Sequence, residues 1–106
     1  MESREFFQFL KFLADETRFR IIYQLSHRDM SVSDLCNVLE INQPLVSKHL
    51  VKLRLSGILN DVRDGSFVYY SLNRKNKEYI TIIRSLIKVF EKSDIAQQDI
   101  NASDLS

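Results

Sequence analysis

The spacing of apolar residues changes character twice along this chain. It follows a helical period of about 3.6 residues up to Gly57, a strand-like period of 2 as far as Leu72, and a helical period again beyond Lys75. Residues 3–13 read as a helix whose apolar positions, Phe6, Phe7, Phe9, Leu10, Phe12 and Leu13, spread over more than one face. A second helix is expected over residues 16–26, started by Asp15 and Thr17, with Phe19, Ile22 and Tyr23 directed inward. Ser31-Val-Ser-Asp34 fits the pattern in which a serine and an acidic residue three positions on cap a helix reciprocally. It predicts a short third helix that buries Leu35, Val38 and Leu39 and stops near Glu40.

The next run, Asn42 to Gly57, is the most informative part of the chain. The Asn42 side chain can satisfy free N–H groups at a helix start, Pro44 falls in the first turn where a missing N–H costs nothing, and Gly57 suits a left-handed residue just past the end. Val46, Leu50 and Leu53 form an inward stripe, leaving Gln43, Ser47, Lys48 and Lys52 outward. Two helices joined by the turn Glu40-Ile41-Asn42 make a helix-turn-helix. Two β-rich runs follow, Ile58, Leu59 and Val62, then Phe67, Val68, Tyr69, Tyr70 and Leu72. Arg63-Asp64-Gly65-Ser66 separates them, and its Asp-Gly pair is a hairpin signal. The expected architecture is mainly α with a small β-hairpin: a winged helix-turn-helix of about five helices plus a two-stranded wing.

From Lys75 to Lys92 the helical period returns, with Tyr79, Ile83, Leu86 and Phe90 on one line and Ile80, Ile82, Ile87 and Val89 widening it. The first and last helices thus carry more apolar surface than one small core absorbs. The economical expectation is a homodimer in which Phe6, Phe9, Leu10, Tyr79, Ile83, Leu86 and Phe90 line a two-fold interface. Residues 1–93 then form one winged helix-turn-helix domain. Residues 94–106 lack periodicity and are expected to be a disordered tail, with Asp94, Asp99 and Asp104 solubilising it.

Charge changes the picture once it is divided along the chain. The formal net charge of the 106 residues is +1, but residues 43–77 hold seven Lys and Arg against two Asp, a local +5. Flanking segments are each −2. Cation confined to the middle third is the footprint of a phosphate-contacting surface. The expected DNA-contact set is Gln43, Pro44, Leu45, Ser47, Lys48, His49, Lys52 and Arg63: Gln43 for an adenine edge, Ser47 for a base or phosphate, Lys48 and Lys52 for phosphate or guanine, and Arg63 from the wing. Leu45 either touches a thymine methyl or covers the neighbouring helix, and His49 is a packing or phosphate-side residue. Arg74, Lys75 and Lys77 are better read as solvated.

Other chemistry is sparse. The one cysteine, Cys36, excludes an internal disulfide framework and is read as a small apolar filler. His27 and His49 lie far apart without a cysteine nearby, so no metal site is expected. Ser47, Lys48 and His49 are consecutive on one helix and point in different directions, and no phosphate loop or paired-carboxylate site is evident, so no catalytic residue and no cofactor is expected. The charged, acidic start Met1-Glu-Ser-Arg-Glu does not resemble a signal peptide, and no apolar run approaches the roughly eighteen residues of a membrane span. A reducing, cytoplasmic setting fits.

Across residues 9–72 these motifs resemble the ArsR-type winged-helix repressors. The matching pieces are Phe12-Leu-Ala-Asp-Glu-Thr-Arg18, Arg20-Ile-Ile-Tyr-Gln-Leu25, Gln43-Pro-Leu-Val-Ser-Lys-His-Leu50, Leu53-Arg54, Ser56-Gly-Ile-Leu59, Arg63-Asp-Gly65 and Tyr69-Tyr-Ser-Leu72. The resemblance implies a homodimeric transcriptional repressor on double-stranded DNA, at a palindromic operator with half-sites about one helical turn apart. Members commonly sense metal or redox signals. Where many carry a Cys-x-Cys pair, this chain has Ser31 and Ser33, whose hydroxyls do not replace thiolates toward soft metals. The final helix lacks His and Cys, so the Asp and His ligands found there in other members do not carry over either, and a single cysteine cannot form an internal disulfide. A small-molecule or redox inducer is left unidentified. Glu40 stands where a glycine is common, a cost of roughly 1 kcal/mol if it is left-handed. Two other readings remain open: a winged-helix protein–protein interaction module, and a redox-responsive regulator that uses Cys36.

Overall fold

A computed structural model describes the backbone of residues 1–105 and the side chains of residues 1–102. The elements run α1 (Ser3–Leu13), α2 (Glu16–Leu25), β1 (Met30–Ser31), α3 (Val32–Leu39), α4 (Gln43–Leu55), β2 (Leu59–Asp64), β3 (Phe67–Leu72), α5 (Lys77–Phe90) and α6 (Asp94–Leu105). Helix starts are set by the expected side chains. Asp15 Oδ1 accepts from the Arg18 N–H at 3.0 Å, and Asn42 Oδ1 accepts from the Leu45 N–H at 3.0 Å. At α3 the capping is reciprocal: the Asp34 N–H donates to Ser31 Oγ at 3.1 Å, and the Ser31 N–H donates to Asp34 Oδ2 at 3.0 Å. Asn76 starts α5 in the same way, its side chain accepting from the Tyr79 N–H.

The core gathers Ile21, Ile22 and Leu25 of α2, Leu35, Val38 and Leu39 of α3, and Val46, Leu50 and Leu53 of α4 beneath Ile80 and Ile83 of α5. Burying each such side chain contributes about 1.5–3 kcal/mol, which is what holds the short helices α3 and α4 in a fixed mutual geometry. The turn between them closes with Glu40 at φ 55°, ψ 45°, the one non-glycine residue with positive φ among those described. Its N–H and that of Ile41 both donate to the Cys36 carbonyl, ending α3. Because glycine enters this region without a Cβ penalty, Glu40→Gly is expected to raise stability, by up to about 1 kcal/mol. An unchanged or lowered denaturant midpoint would show that the Glu40 side chain contributes more than its backbone costs.

The wing differs from a plain two-stranded hairpin. Met30 and Ser31 pair with Tyr70 and Tyr69, giving a three-stranded antiparallel sheet in the order β1-β3-β2. At two residues, β1 is too short for alternation to reveal. Asp64 pairs with Phe67, so the tight turn is Gly65-Ser66 rather than Asp64-Gly65. Of these two turn residues Gly65 alone carries positive φ, at 63°, as a turn with glycine in its first central position requires.

The larger correction concerns the C-terminal segment. Asp94–Leu105 is a sixth helix, not a disordered tail, and it packs on α2 and α3. Ala96 is wholly buried there, and Asp99 is 3 % exposed rather than solubilising. The Asp99 carboxylate accepts from Arg20 Nε and Nη2, both at 2.9 Å, and the Asp99 carbonyl accepts from Gln24 Nε2 at 3.2 Å. The Arg20 Nη2 also donates to the Leu39 carbonyl at 3.4 Å, linking α6 to the last residue of α3. A docked helix of this kind is held by two small or polar contacts and not by an apolar stripe, so its sequence looks like that of a free segment. The side chain of Asp104, and Ser106 as a whole, lie outside the described residues.

Candidate nucleic-acid interface

Helix α4 stands with Val46, Leu50 and Leu53 buried against α3, α2 and the start of β2. Its other side carries exposed Gln43, Pro44, Lys48 and Lys52, half-buried Ser47 and marginally exposed Leu45. These residues occupy the N-terminal half and one flank of the helix, the part that enters a major groove in helix-turn-helix proteins. Arg63 is exposed on β2 opposite Val68, one step from the wing tip, and Val62 and Phe67 are exposed beside it. Arg54, Arg74, Lys75 and Lys77 are exposed as well. Among the described residues, the ion pairs involve only Met1 with Glu78, Arg18 with Asp15 and Arg20 with Asp99. Every cation between residues 43 and 77 is therefore unpaired among the described residues, which is what neutralising phosphate requires.

His49 departs from the expected contact set. Its side chain is turned inward, 7 % exposed, with Nδ1 buried and without a hydrogen-bond partner. Spacing explains this: position 49 sits between inward Val46 and Leu53, three and four residues away on the same face. Burial pushes the imidazole below its ordinary pKa, with Arg18, Lys52 and Lys48 adding to the effect and Asp15 opposing it. The folded state thus resists a proton that the unfolded chain accepts. Stability conferred by neutral His49 is complete above about pH 6.5 and is lost as pH falls from there through the depressed folded value. A denaturant midpoint that drops between neutral pH and pH 5.5 in the parent, and drops less in His49→Gln, is the expected outcome; parallel pH profiles would contradict it.

The expected interface set divides in two. Phe6, Leu10 and Leu86 are exposed in the single chain, and the structure adds Phe7 and Val89, at 66 % and 75 % exposure. Phe9 and Ile83 are instead buried in the chain's own core. Tyr79 stacks on Phe9 with ring centroids 4.1 Å apart, and Phe90 meets Phe19 and Tyr23 edge-on at 4.9 and 5.0 Å. These four aromatic and aliphatic positions shape the face from behind. An open apolar groove of about 590 Å³ lies between the starts of α1 and α5 on the exposed side, lined by Phe6, Phe7 and Ile82.

Cys36 is half-buried on α3, and burial raises its thiol pKa, which disfavours the thiolate needed for oxidation chemistry. No group of three or more His, Cys, Asp and Glu side chains is placed to hold a metal among the described residues. Nor is any described helix long and apolar enough to cross a membrane.

A helix-turn-helix followed by a β wing, with exposed cations on its second helix, defines the class: winged-helix regulators of transcription. Residues 15–61 match the model of the bacterial regulatory proteins of the arsR family. The chain belongs to that family, whose members are regulators and not enzymes. It is 46 % identical over 67 residues to the arsenical resistance operon repressor of Escherichia coli, a match covering 62 % of this chain and 57 % of that protein. It is 38 % identical over 63 residues to the transcriptional repressor SdpR of Bacillus subtilis, covering 59 % of this chain and 70 % of that one. Among solved structures, reduced HlyU from Vibrio cholerae aligns with a TM-score of 0.75 at 31 % identity, over 83 % of this chain and 90 % of that chain. The chain spans a little over half the length of the first curated relatives it matches, 57 % and 56 %.

Proposed function

We propose that this protein is a homodimeric, sequence-specific DNA-binding repressor of transcription that works in the cytoplasm and docks the α4 helices of its two protomers into successive major grooves of a palindromic operator. The observation that carries the reading is the polar flank of exposed Gln43, Lys48 and Lys52 with half-buried Ser47 on a helix locked from behind, beside cations that form no ion pair among the described residues. Gln43 reads an adenine edge, Lys48 and Lys52 meet phosphates or guanine, and Arg63 reaches the backbone from the wing. The exposed faces of α1 and α5 supply the two-fold contact. Ser31 and Ser33 leave α3 without thiolate ligands, so derepression by soft metals through that helix is not expected. The names of relatives such as the arsenical resistance operon repressor suggest repression as the mode of action.

The test is selection of bound fragments from random duplex DNA, followed by titrations of two variants. Gln43→Ala is expected to relax preference at one base position per half-site, losing about 1–3 kcal/mol of discrimination there. Lys48→Ala is expected to weaken binding to all sequences alike and to flatten the salt dependence by about one unit per lost contact. Binding without salt dependence would overturn the phosphate-contact reading, and an unchanged base profile would remove Gln43 from the reading set. A second reading, a winged-helix module that docks a different protein, is favoured by the exposure of Phe7 and Val89. It requires a monomer in solution.

A further inference from the structure

We propose that the cleft between α1, the start of α2, the end of α4 and the start of α5 is a binding site for a small aromatic carboxylate. The cleft has a volume of about 600 Å³, within the range of roughly 300–1,000 Å³ typical of small-molecule sites. Its lining combines aromatic faces, Phe12 and Tyr79, with three cations, Lys11, Arg18 and Lys52, against one carboxylate, Glu5, and Asp15 stands beside Arg18 outside the lining. That combination suits a planar ring bearing a negative charge.

Arg18 is what makes the cleft a built site. Its side chain is 17 % exposed and fixed from two directions: Nε donates to the Phe12 carbonyl at 2.7 Å, and the guanidinium carbon lies 4.6 Å from the centroid of the Phe12 ring. Nη1 comes no closer than 3.9 Å to Asp15 Oδ2, beyond hydrogen-bond distance. Neither Nη makes a hydrogen bond to the described residues, so a rigid guanidinium presents unspent donors to the cleft. Lys11 and Lys52 form no ion pair with any described carboxylate. Tyr79, held flat against Phe9, adds an aromatic wall. A carboxylate on the Arg18 fork with its ring against the aromatic lining uses both features of the cleft.

The site lies away from the α1 face assigned to pairing above. Along α1, Glu5, Gln8 and Phe12 follow one another at spacings of three and four, whereas Phe7 and Leu10 project from the opposite side of the helix. Pairing through Phe6, Phe7 and Leu10 would engage the side of α1 opposite the cleft. Lys52 belongs both to the cleft and to the outward flank of α4, so an anion that engages it withdraws a cation from DNA. This consequence rests on the reading of α4 as the DNA-binding helix; occupancy of the cleft does not.

The experiment titrates the full chain with benzoate, benzyl alcohol, acetate and inorganic phosphate at constant ionic strength, followed by amide chemical shifts. Saturable benzoate binding that perturbs Lys11, Phe12, Arg18 and Tyr79, about tenfold or more tighter than benzyl alcohol or acetate, is expected. Lys11→Met should weaken benzoate several-fold while leaving DNA binding intact, and Arg18→Lys, which keeps the charge but loses the fork, should weaken it further. Equal affinity for benzyl alcohol, equal affinity for phosphate, or perturbations confined to Phe6, Phe7 and Leu10 would each overturn the proposal. Competition with bound duplex DNA is the last arm. Benzoate that binds the cleft without displacing DNA removes the coupling through Lys52, and failure of the chain to bind DNA at all removes the function proposed above while the shift titration still decides the site.

Discussion

Replacing Asp99 by alanine is expected to lower the unfolding free energy by about 2–3 kcal/mol, somewhat less than the roughly 3–5 kcal/mol that breaking a fully buried ion pair costs, because Arg20 keeps some access to water. The carboxylate is 4 % exposed and receives two donors from Arg20, whose side chain is 20 % exposed. Removing it strands the guanidinium under α6, against the Leu39 carbonyl alone. For a domain of this size the corresponding fall in melting temperature is about 10–20 °C. The loss has an upper limit, since α6 can leave the body of the protein once undocking costs less than keeping the unpaired cation buried. Faster amide exchange confined to residues 94–102 is the signature of that route. Asp99→Asn and Arg20→Ala, combined in a double-mutant cycle, separate the ion pair from the packing of Ala96. A change of less than about 0.5 kcal/mol in Asp99→Ala, the size of an ordinary surface substitution, would mean that the pair contributes nothing.

Leu10→Asp is expected to convert a dimer into monomers and to reduce operator affinity by about two orders of magnitude or more, because the second half-site is then no longer held at high local concentration. Leu10 is 37 % exposed, so the aspartate remains solvated in the monomer and the fold is spared. In the homodimer proposed above the same carboxylate would be driven into an apolar seam with Phe6, Phe7 and Leu86, a burial without a partner. Sedimentation velocity and DNA titration on the same samples check the two halves of the statement. A parent chain that sediments as a monomer would remove the homodimer and leave the protein-docking module as the better reading of the α1 and α5 faces.

The elements legible in the sequence are those specified by local chemistry. Asp15, Ser31 and Asn42 cap the helices they were expected to cap, Gly57 is left-handed at φ 84°, and Val46, Leu50 and Leu53 are buried at the spacing that implied it. Glu40 shows that a backbone cost can be anticipated from a residue type out of place in a turn. What escaped was decided by contacts remote in sequence. Docking of α6 depends on Arg20 and Gln24, more than 70 residues away, and leaves no apolar period to detect. Strand β1 exists only because β3 offers it a partner. His49 stands in the expected contact set with packing as its alternative, and packing is what it does: one step along a helix is about 100° of rotation, enough to carry a side chain from solvent into the core. The interface set erred likewise: periodicity identified Phe9 and Ile83 as apolar but did not decide which core, the chain's own or a shared one, would take them.

Ser31 belongs to two structures at once. It is the last residue of β1, in register with Tyr69 of the wing, and it caps the first turn of α3. A wing attached only through a loop would swing independently of the helices it flanks. Here a displacement of β3 is delivered to the start of α3 through one residue, and from there to α4 through the core that the two helices share. Wing and α4 are therefore geared together, so that in the DNA-binding reading proposed above a backbone contact that shifts the hairpin also shifts the helix beside it.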